Sequence, residues 1–424
     1  MIKIMKRGEV SESELFARKV SGADVAGTVA EIIADVRENG DAALRKYNEK
    51  FDKCTCESLE VSEEEFAAAM AAVPAEYLRV LERSAGNIRE YHLRQVRHDY
   101  IVTAEDGSVL GQRVLPMARV GLYVPGGTAA YPSSVLMNCI PAKIAGVGEI
   151  VMTTPASGGE VSPAILAAAK VAGVDRVFKV GGAQAVAAMA FGTSSVPRVN
   201  KIFGPGNRYV TTAKQLLGLS RVAIDMPAGP SEVMVLGDET ARAPFVAADL
   251  LSQAEHGPDS QAVLVTTSPA LAEAVEREVA VQLRQLGREA VAERALEESR
   301  IFVVADTDEM VEMANRYAAE HLIVEMADPE TVAARIENAG SIFLGHYSPE
   351  SVGDYASGTN HTLPTSGWAV AYSGVNLDSF CKKITYQRLT VEGLRALAPT
   401  VTAMATAEGL DAHRRAVTIR LTDV

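Results

Sequence analysis

The rhythm of apolar and polar positions changes along the 424-residue chain. From residue 11 to about 98, apolar positions recur at three- and four-residue spacing among Ala, Glu, Arg and Leu, so this stretch reads as helical. Ser62, followed by Glu65, predicts a capping box at the start of one helix. From 109 to about 236, short β-branched runs alternate with Ala-rich stretches and Gly/Pro punctuation. Strands are predicted at 120–124, 149–154 and 176–180, with helices at 163–172 and 184–191. After Pro244 the alternation resumes: helix 245–254, strand 262–267, a long charged helix from 270 to about 299 and strand 301–304. A helix near 308–318, strand 322–324, helix 329–338 and strand 341–344 complete it. The tail from about Tyr372 predicts helices at 391–397 and 399–410 and a strand-like 416–421. Such alternation predicts βαβ units around parallel sheets, hence an α/β protein with two modules in succession. A duplication is suggested by this rhythm, although no internal identity proves it. The segments are expected at 1–108, 109–240, 241–371 and 372–424, sharing interfaces because no low-complexity linker separates them.

Composition narrows the class. Apolar residues at 48% and charged residues at 22% fit a well-packed globular protein and exclude a largely disordered chain. With 41 Lys+Arg against 54 Asp+Glu, the formal charge of −13 disfavours nucleic acid and anionic membrane as partners. Four cysteines are too few for a disulfide scaffold, and Cys54 and Cys56 lack a second Cys or His pair for a zinc knuckle. The first residues contain no apolar signal core, and no apolar run reaches about 18 residues, so a soluble, cytoplasmic protein is expected.

The seven histidines can be weighed one by one. His92 and His98, among Arg89, Arg94 and Arg97, read as a solvated helix face, and His346 as structural in a turn. His256, His321, His361 and His413 each lie in a patch rich in Gly, Glu, Asp or Gln. Gln253 and His256 are three apart on a helix ending at Gly257-Pro258, so both project from one face of its last turn. That pair is feasible metal chemistry, although from these residues alone a histidine capping the last carbonyls and the helix dipole is the better reading. Glu320-His321 stands at a helix–strand corner, where a carboxylate and an imidazole can face one cleft and supply a general base and water activation. Surface Glu-His pairs are also common. Gly353-Asp354 through Asn360-His361-Thr362-Leu363-Pro364 reads as a loop rather than an element. Glu408 and His413 flank Gly409, which ends a helix.

No G-x-G-x-x-G follows a predicted strand, and no Walker loop is present. Three Gly-rich turns stand instead at 124–128, 180–184 and 203–207. The second follows a strand and opens a helix, which suits a dinucleotide at a helix N-terminus.

Five motifs together resemble the histidinol dehydrogenase family: Ile224 to Val233 (Ile-Asp-Met-Pro-Ala-Gly-Pro-Ser-Glu-Val), Ser252-Gln253-Ala254-Glu255-His256-Gly257, Ala319-Glu320-His321-Leu322, Gly358 to Thr365, and Ala407 to His413. They stand in the family's order and approximate spacing, and the likeness runs from the N-terminal helices to the end of the chain.

The resemblance implies two incomplete Rossmann-like α/β domains, with a helical N-terminal segment and a small C-terminal tail domain. It implies a four-electron alcohol/aldehyde dehydrogenase that oxidises L-histidinol through the aldehyde to L-histidine with NAD, the last step of histidine biosynthesis. One zinc per subunit is implied on Gln253, His256, Asp354 and His413, orienting the substrate. His321 is implied as general base and Glu320 as the residue that activates water on the aldehyde. Ser231, His361 and Glu408, with the metal ligands and His321, are implied to hold substrate, and Tyr123, Gln184 and Asn207 to contact NAD. A homodimer is implied, its C-terminal segments exchanged so that Glu408 and His413 complete the neighbour's site.

Three rivals remain in view. A family paralogue would oxidise another polar amino- or sulfo-alcohol. An aldehyde dehydrogenase with a Cys nucleophile would need Cys139 or Cys381, but Cys139 lies in an apolar run and reads as a buried inert thiol. A zinc hydrolase with Glu320 as base leaves the Gly-rich turns without purpose.

Overall fold

The computed structural model describes residues 2–6, 11, 16–18, 24–126, 130–227 and 229–422. The strands in chain order are β1 (Lys3–Lys6), β2 (Tyr100–Thr103), β3 (Val109–Pro116), β4 (Arg119–Tyr123), β5 (Glu149–Thr154), β6 (Arg176–Lys179) and β7 (Lys201–Phe203). They continue with β8 (Ala223–Ile224), β9 (Glu232–Gly237), β10 (Gln261–Thr266), β11 (Arg300–Val303), β12 (His321–Glu325), β13 (Ser341–Leu344) and β14 (Cys381–Arg388). The chain divides into two compact units, Met1–Gln95 with Ala118–Phe380, and Val96–Met117 with Cys381–Val424.

The larger unit holds two parallel sheets, ordered β6-β5-β4-β7-β8 and β1-β11-β10-β9-β12-β13. Counted within its own module, each sheet runs third, second, first, fourth, fifth strand, and β1 only extends the second sheet at its edge. The shared order is what the repeating rhythm of the sequence suggests. Sheets covered on both faces need apolar residues at successive positions, and β9 is buried along its whole length, Glu232 to Gly237. The helix Gly182–Phe191 is Ala-rich for a related reason. Residues Ala183 to Ala190 are all buried, and small side chains let it pack closely on every side.

In the N-terminal region the helices are Ala26–Asn39, Asp41–Tyr47, Glu63–Ala72 and Ala75–Leu93, with a π-helical turn at Asn48–Asp52. The capping box forms: Ser62 Oγ accepts the Glu65 N–H, and Glu65 Oε2 accepts the Ser62 N–H at 2.8 Å. The smaller unit is an antiparallel sheet, β14-β3-β2, with helices Val391–Ala407 and Asp411–Thr418.

Several sequence expectations are corrected. The charged helix at 270–299 is two helices, Pro269–Leu283 and Glu289–Glu297, broken around Gly287. The two tail helices are one, Val391–Ala407, with Pro399 inside it. The strand expected at 416–421 is helical, because Asp411 and Arg415 suit the two ends of a helix dipole and six alternating residues cannot override it. His92 is not solvated: it is fully buried on the face shared with Leu81, Ala85 and Ile88, and its Nδ1–H donates to the Ile88 carbonyl at 2.8 Å. Asp354 sits not in a loop but on a short helix, Glu350–Tyr355.

Candidate active site

Two sheet edges of the larger unit gather the candidate residues. The first is the carboxyl edge of the β4–β8 sheet, where a βα fold opens its crevice for ligands. Tyr123, the last residue of β4, is buried, and its hydroxyl accepts the Gly182 N–H at 3.2 Å. Gly182 opens the helix that follows β6. Gln184, one turn in, is 1% exposed, and neither amide atom has a hydrogen-bond partner. The third Gly-rich turn follows β7. Gly204 has φ +109°, and a Cβ there would lie 2.1 Å from the Tyr123 carbonyl oxygen, so only glycine fits. Asp225 and Lys214 form a buried ion pair at 2.5 Å that holds this turn: Asp225 Oδ2 accepts the Gly204 N–H and Lys214 Nζ donates to the Gly204 carbonyl, both at 2.8 Å. Asn207 is exposed and caps the helix Arg208–Gly218 by accepting the Tyr209 and Val210 N–H groups.

The second is the amino edge of the β9–β13 sheet. The helix Thr307–Tyr317 ends on Ala318 in the left-handed conformation, φ +51°, which turns the chain sharply and delivers Glu320 and His321 to the start of β12. Both side chains are buried there. His321 Nδ1 lies 3.7 Å from Glu320 Oε2 and 3.8 Å from Glu350 Oε2, and its Nε2 lies 3.6 Å from Asp354 Oδ1. Burial alone would favour the neutral ring, but these carboxylates outweigh it and raise the His321 pKa well above its ordinary value. Burial pushes the Glu320 carboxyl upward and the Glu350 carboxyl up to about 7. Asp354 is the exception: although burial opposes its ionisation, His321, His361 and His256 hold it below the usual carboxylate range.

Gln253 stands at the end of the helix Ala243–Ala254 and His256 just past it, where His256 interacts electrostatically with Asp354, His321 and His361. Gln253 is 1% exposed and both of its amide atoms lack partners. Burial draws the His256 pKa down against the pull of nearby Asp354. Burial lowers the pKa of His361 likewise; the ring's Nδ1–H donates to the Asp354 carbonyl at 3.1 Å, and its Nε2 lies 3.5 Å from Ser134 Oγ. Ser134 belongs to the first turns of the helix Pro132–Ala145 of the first module. Asn360 and Thr362 bind the same helix, through the Met137 carbonyl at 2.6 Å and Asn138 Nδ2 at 3.3 Å. The 360–362 segment thus fastens the second module's site to the first module.

The structure therefore brings together Glu320, His321, His256, Asp354 and His361, with Gln253 buried on the helix end that precedes His256. Ser231 is half-buried directly before β9, beside the same edge. Glu408 and His413 are exposed residues of the smaller unit. Among the described residues, no three His, Cys, Asp or Glu side chains form a metal-holding group. Of the four expected ligands one is an amide, and His413 belongs to the other unit. Sequence reading missed two partners. Glu350, held by Ser252 Oγ at 2.7 Å, adds a third carboxylate beside His321. Glu232 donates its backbone N–H to Glu320 Oε2 at 2.9 Å, while its own carboxylate is held by Arg18 at 2.6 Å and the Tyr317 hydroxyl at 3.2 Å. The signal for Glu232 was its place within the Pro230-Ser231-Glu232 motif; Glu350 had none.

A family model described as histidinol dehydrogenase matches residues 17–421. The chain belongs to the histidinol dehydrogenase family. It is 54% identical over 398 residues to a histidinol dehydrogenase of Bacteroides fragilis, covering 94% of this chain and 93% of that one. It is 49% identical over 426 residues to a histidinol dehydrogenase of Methanosarcina barkeri, covering 99% and 98%. The crystal structure of histidinol dehydrogenase from Elizabethkingia anophelis superposes with a TM-score of 0.95 at 44% identity, covering 100% of this chain and 98% of that one. Membership of this family makes the protein an enzyme, an oxidoreductase, and the α/β architecture is the one its relatives have. Among the described residues no helix is long and apolar enough to cross a membrane.

Proposed function

We propose that the protein oxidises L-histidinol to L-histidine through L-histidinal, reducing two NAD+, as the last step of histidine biosynthesis. The carrying observation is the buried Glu320–His321 pair among Glu350 and Asp354 at one sheet edge, within the family's motif. In the first oxidation the neutral ring of His321 would take the alcohol proton, and a bound nicotinamide would supply the hydride acceptor. The surrounding carboxylates favour the imidazolium this creates. Glu320 would then take a proton from water as it adds to the aldehyde, the former carbonyl oxygen taking one up from the His321 imidazolium, and the hydrate would give a hydride to a second NAD+ and a proton to His321, leaving the acid. Ser231, His361 and Glu408 hold the substrate, and Tyr123, Gln184 and Asn207 contact NAD at the first sheet's carboxyl edge.

The chain's residues fit zinc. A neutral imidazole at His256, an ionised carboxylate at Asp354 and the unpartnered, buried Gln253 amide form a nitrogen/oxygen donor set, which His413 would complete. When bound, the metal supplies positive charge that orients the amino-alcohol. A homodimer would let the smaller unit of one subunit bring Glu408 and His413 to its neighbour. Supporting this, that unit exposes Ile101, Val102, Leu110, Met404 and Ile419 at 52–63%. A cytoplasmic location follows from the biosynthetic role.

The test is NADH formation from L-histidinol and NAD, with and without a chelator. Two NADH per histidinol, lost on chelation and restored by zinc, are expected. Folded, zinc-loaded protein that gives no NADH would transfer the reading to another polar amino- or sulfo-alcohol.

A further inference from the structure

The dinucleotide turn has an acidic neighbour that the reaction above does not use. Asp52 ends the π-helical turn Asn48–Asp52, a conformation rare outside functional sites. The turn is docked onto the first sheet by two bonds. Asn48 Nδ2 donates to the Lys179 carbonyl at 2.6 Å, and the Gly158 N–H donates to the Asp52 carbonyl at 3.4 Å. The Asp52 side chain is thereby delivered to Gly181. A Cβ built at Gly181 would lie 3.1 Å from Asp52 Oδ2 and 2.7 Å from Pro155 Cβ, so the carboxylate and the residue following β5 crowd one bare backbone position. Among the described residues Asp52 Oδ2, which is shielded from solvent, has no hydrogen-bond partner and no cation holding it; burial pushes its pKa up to about 6.

Beside it the first turn of the helix Gly182–Phe191 presents its N–H groups, and the fully buried, unpartnered Gln184 amide lies over Gly182, where its Oε1 is 2.6 Å from the position of a Cβ. Unpaired buried polar atoms on two sides of one helix start point to a ligand that supplies hydrogen-bonding groups to both. Helix N–H groups favour an anion. A carboxylate oxygen accepts only from a donor, and it repels a phosphate.

The position of Asp52 specifies the donor. In a βαβ dinucleotide site the acidic residue that holds the 2′-hydroxyl of the adenosine ribose stands at the end of the unit's second strand. That stretch of this chain, Thr154-Pro155-Ala156 at the end of β5, carries no acid. Asp52 stands against Pro155 from another segment and fills the role in space rather than in sequence.

We propose that Asp52 is the residue that binds the adenosine ribose 2′-hydroxyl, so that the site takes a dinucleotide with a free 2′-hydroxyl and rejects one carrying a 2′-phosphate. This rests on the reading that NAD binds at the first sheet's carboxyl edge. Calorimetric titration of the full chain with NAD, NADP and NAD lacking the adenosine 2′-hydroxyl separates the two. Wild-type protein is expected to bind NAD at least ten-fold more tightly than either analogue, the usual strength of a charge-assisted hydrogen bond. Asp52→Asn and Asp52→Ser are expected to weaken NAD about ten-fold while leaving the deoxy analogue nearly unchanged, so that the preference over NADP collapses. A general distortion of the turn would weaken all three ligands alike in both variants and would overturn the proposal. So would unchanged discrimination. Wild-type protein that binds no dinucleotide overturns the underlying NAD reading, and this proposal with it.

Discussion

Glu320 Oε2 accepts the backbone N–H of Glu232 at 2.9 Å and stands 3.7 Å from His321 Nδ1. The carboxylate is thus fixed by a backbone donor on a neighbouring strand, while the imidazole beside it is free of hydrogen bonds at both ring nitrogens. One group is anchored and the other is available to a ligand. That asymmetry suits a division of labour between two half-reactions. His321→Ala is expected to slow oxidation of the alcohol by about 10²–10⁴, the range of a lost general base. Glu320→Gln keeps the shape and is expected to slow mainly oxidation of the aldehyde. Single-turnover NADH formation starting from histidinol and from histidinal measures each step. Equal slowing of both steps in both variants would remove the assignment.

Metal removal tests the donor set rather than the turnover alone. Chelation is expected to abolish oxidation while NAD still binds, because the Tyr123–Gln184 turn lies on a different sheet from Gln253, His256 and Asp354. Gln253→Ala and His256→Ala are expected to lower bound zinc at least ten-fold, read by elemental analysis after dialysis. Undiminished zinc in both variants would place the metal elsewhere.

How far the sequence reaches depends on how local the cause is. Gln253 and His256 were legible as one helix end, because three-residue spacing is local, and Glu320-His321 as a corner, because sequence neighbours meet there; the role of each pair was not. The same strand order in both sheets was foreshadowed by rhythm alone, with no matching residues needed. Glu350 was illegible, since its burial depends on a short helix docking against Ser252, ninety-eight residues away in sequence. His92 was misread from its arginine neighbours, although spacing from Leu81, Ala85 and Ile88 already put it on the apolar stripe. The contents of a face were a better guide there than the residues on either side. The C-terminal helix was misread in the opposite sense: period-two alternation over six residues is too short a signal when a charged helix start lies just upstream.

A thioester route through Cys139 is disfavoured by its surroundings. The thiol is fully buried in the helix Pro132–Ala145, contacts the Ala172 carbonyl at 3.5 Å, and is pushed up to about 12 by burial. Cys139→Ala is expected to keep most activity in both half-reactions and to lose about 1 kcal/mol of stability from the small cavity. Selective loss of aldehyde oxidation, with alcohol oxidation intact, would revive the nucleophile.

The carboxyl edge of the second sheet predicts a pH dependence of stability. Asp249, on the helix Ala243–Ala254, and Glu325, the last residue of β12, are buried and hydrogen-bonded to each other. Burial raises Asp249 to about 8 and Glu325 to about 7; the Glu325 carboxylate pushes Asp249 up further, whereas the hydrogen bond from Asp249 eases ionisation of Glu325. Arg242 opposes the rise at Glu325, and His346 Nδ1 lies 3.5 Å from its Oε2. In the unfolded chain both acids titrate near pH 4. The folded state therefore holds more protons between about pH 4 and 8, so this pair's contribution is complete below pH 4 and is lost as pH rises through the folded values. The double variant Asp249→Asn/Glu325→Gln keeps one amide donor against one amide acceptor and removes both titrations. Denaturant unfolding of the two proteins at several pH values is expected to show wild type losing stability relative to the variant by at least about 1 kcal/mol from pH 5 to 8. Carboxylates away from the pair are common to both proteins and cancel in the difference, and the same comparison in a His346→Gln background removes the imidazole beside Glu325. A difference that stays flat across that range would mean the pair is ionised in the folded state, as exposed acids are.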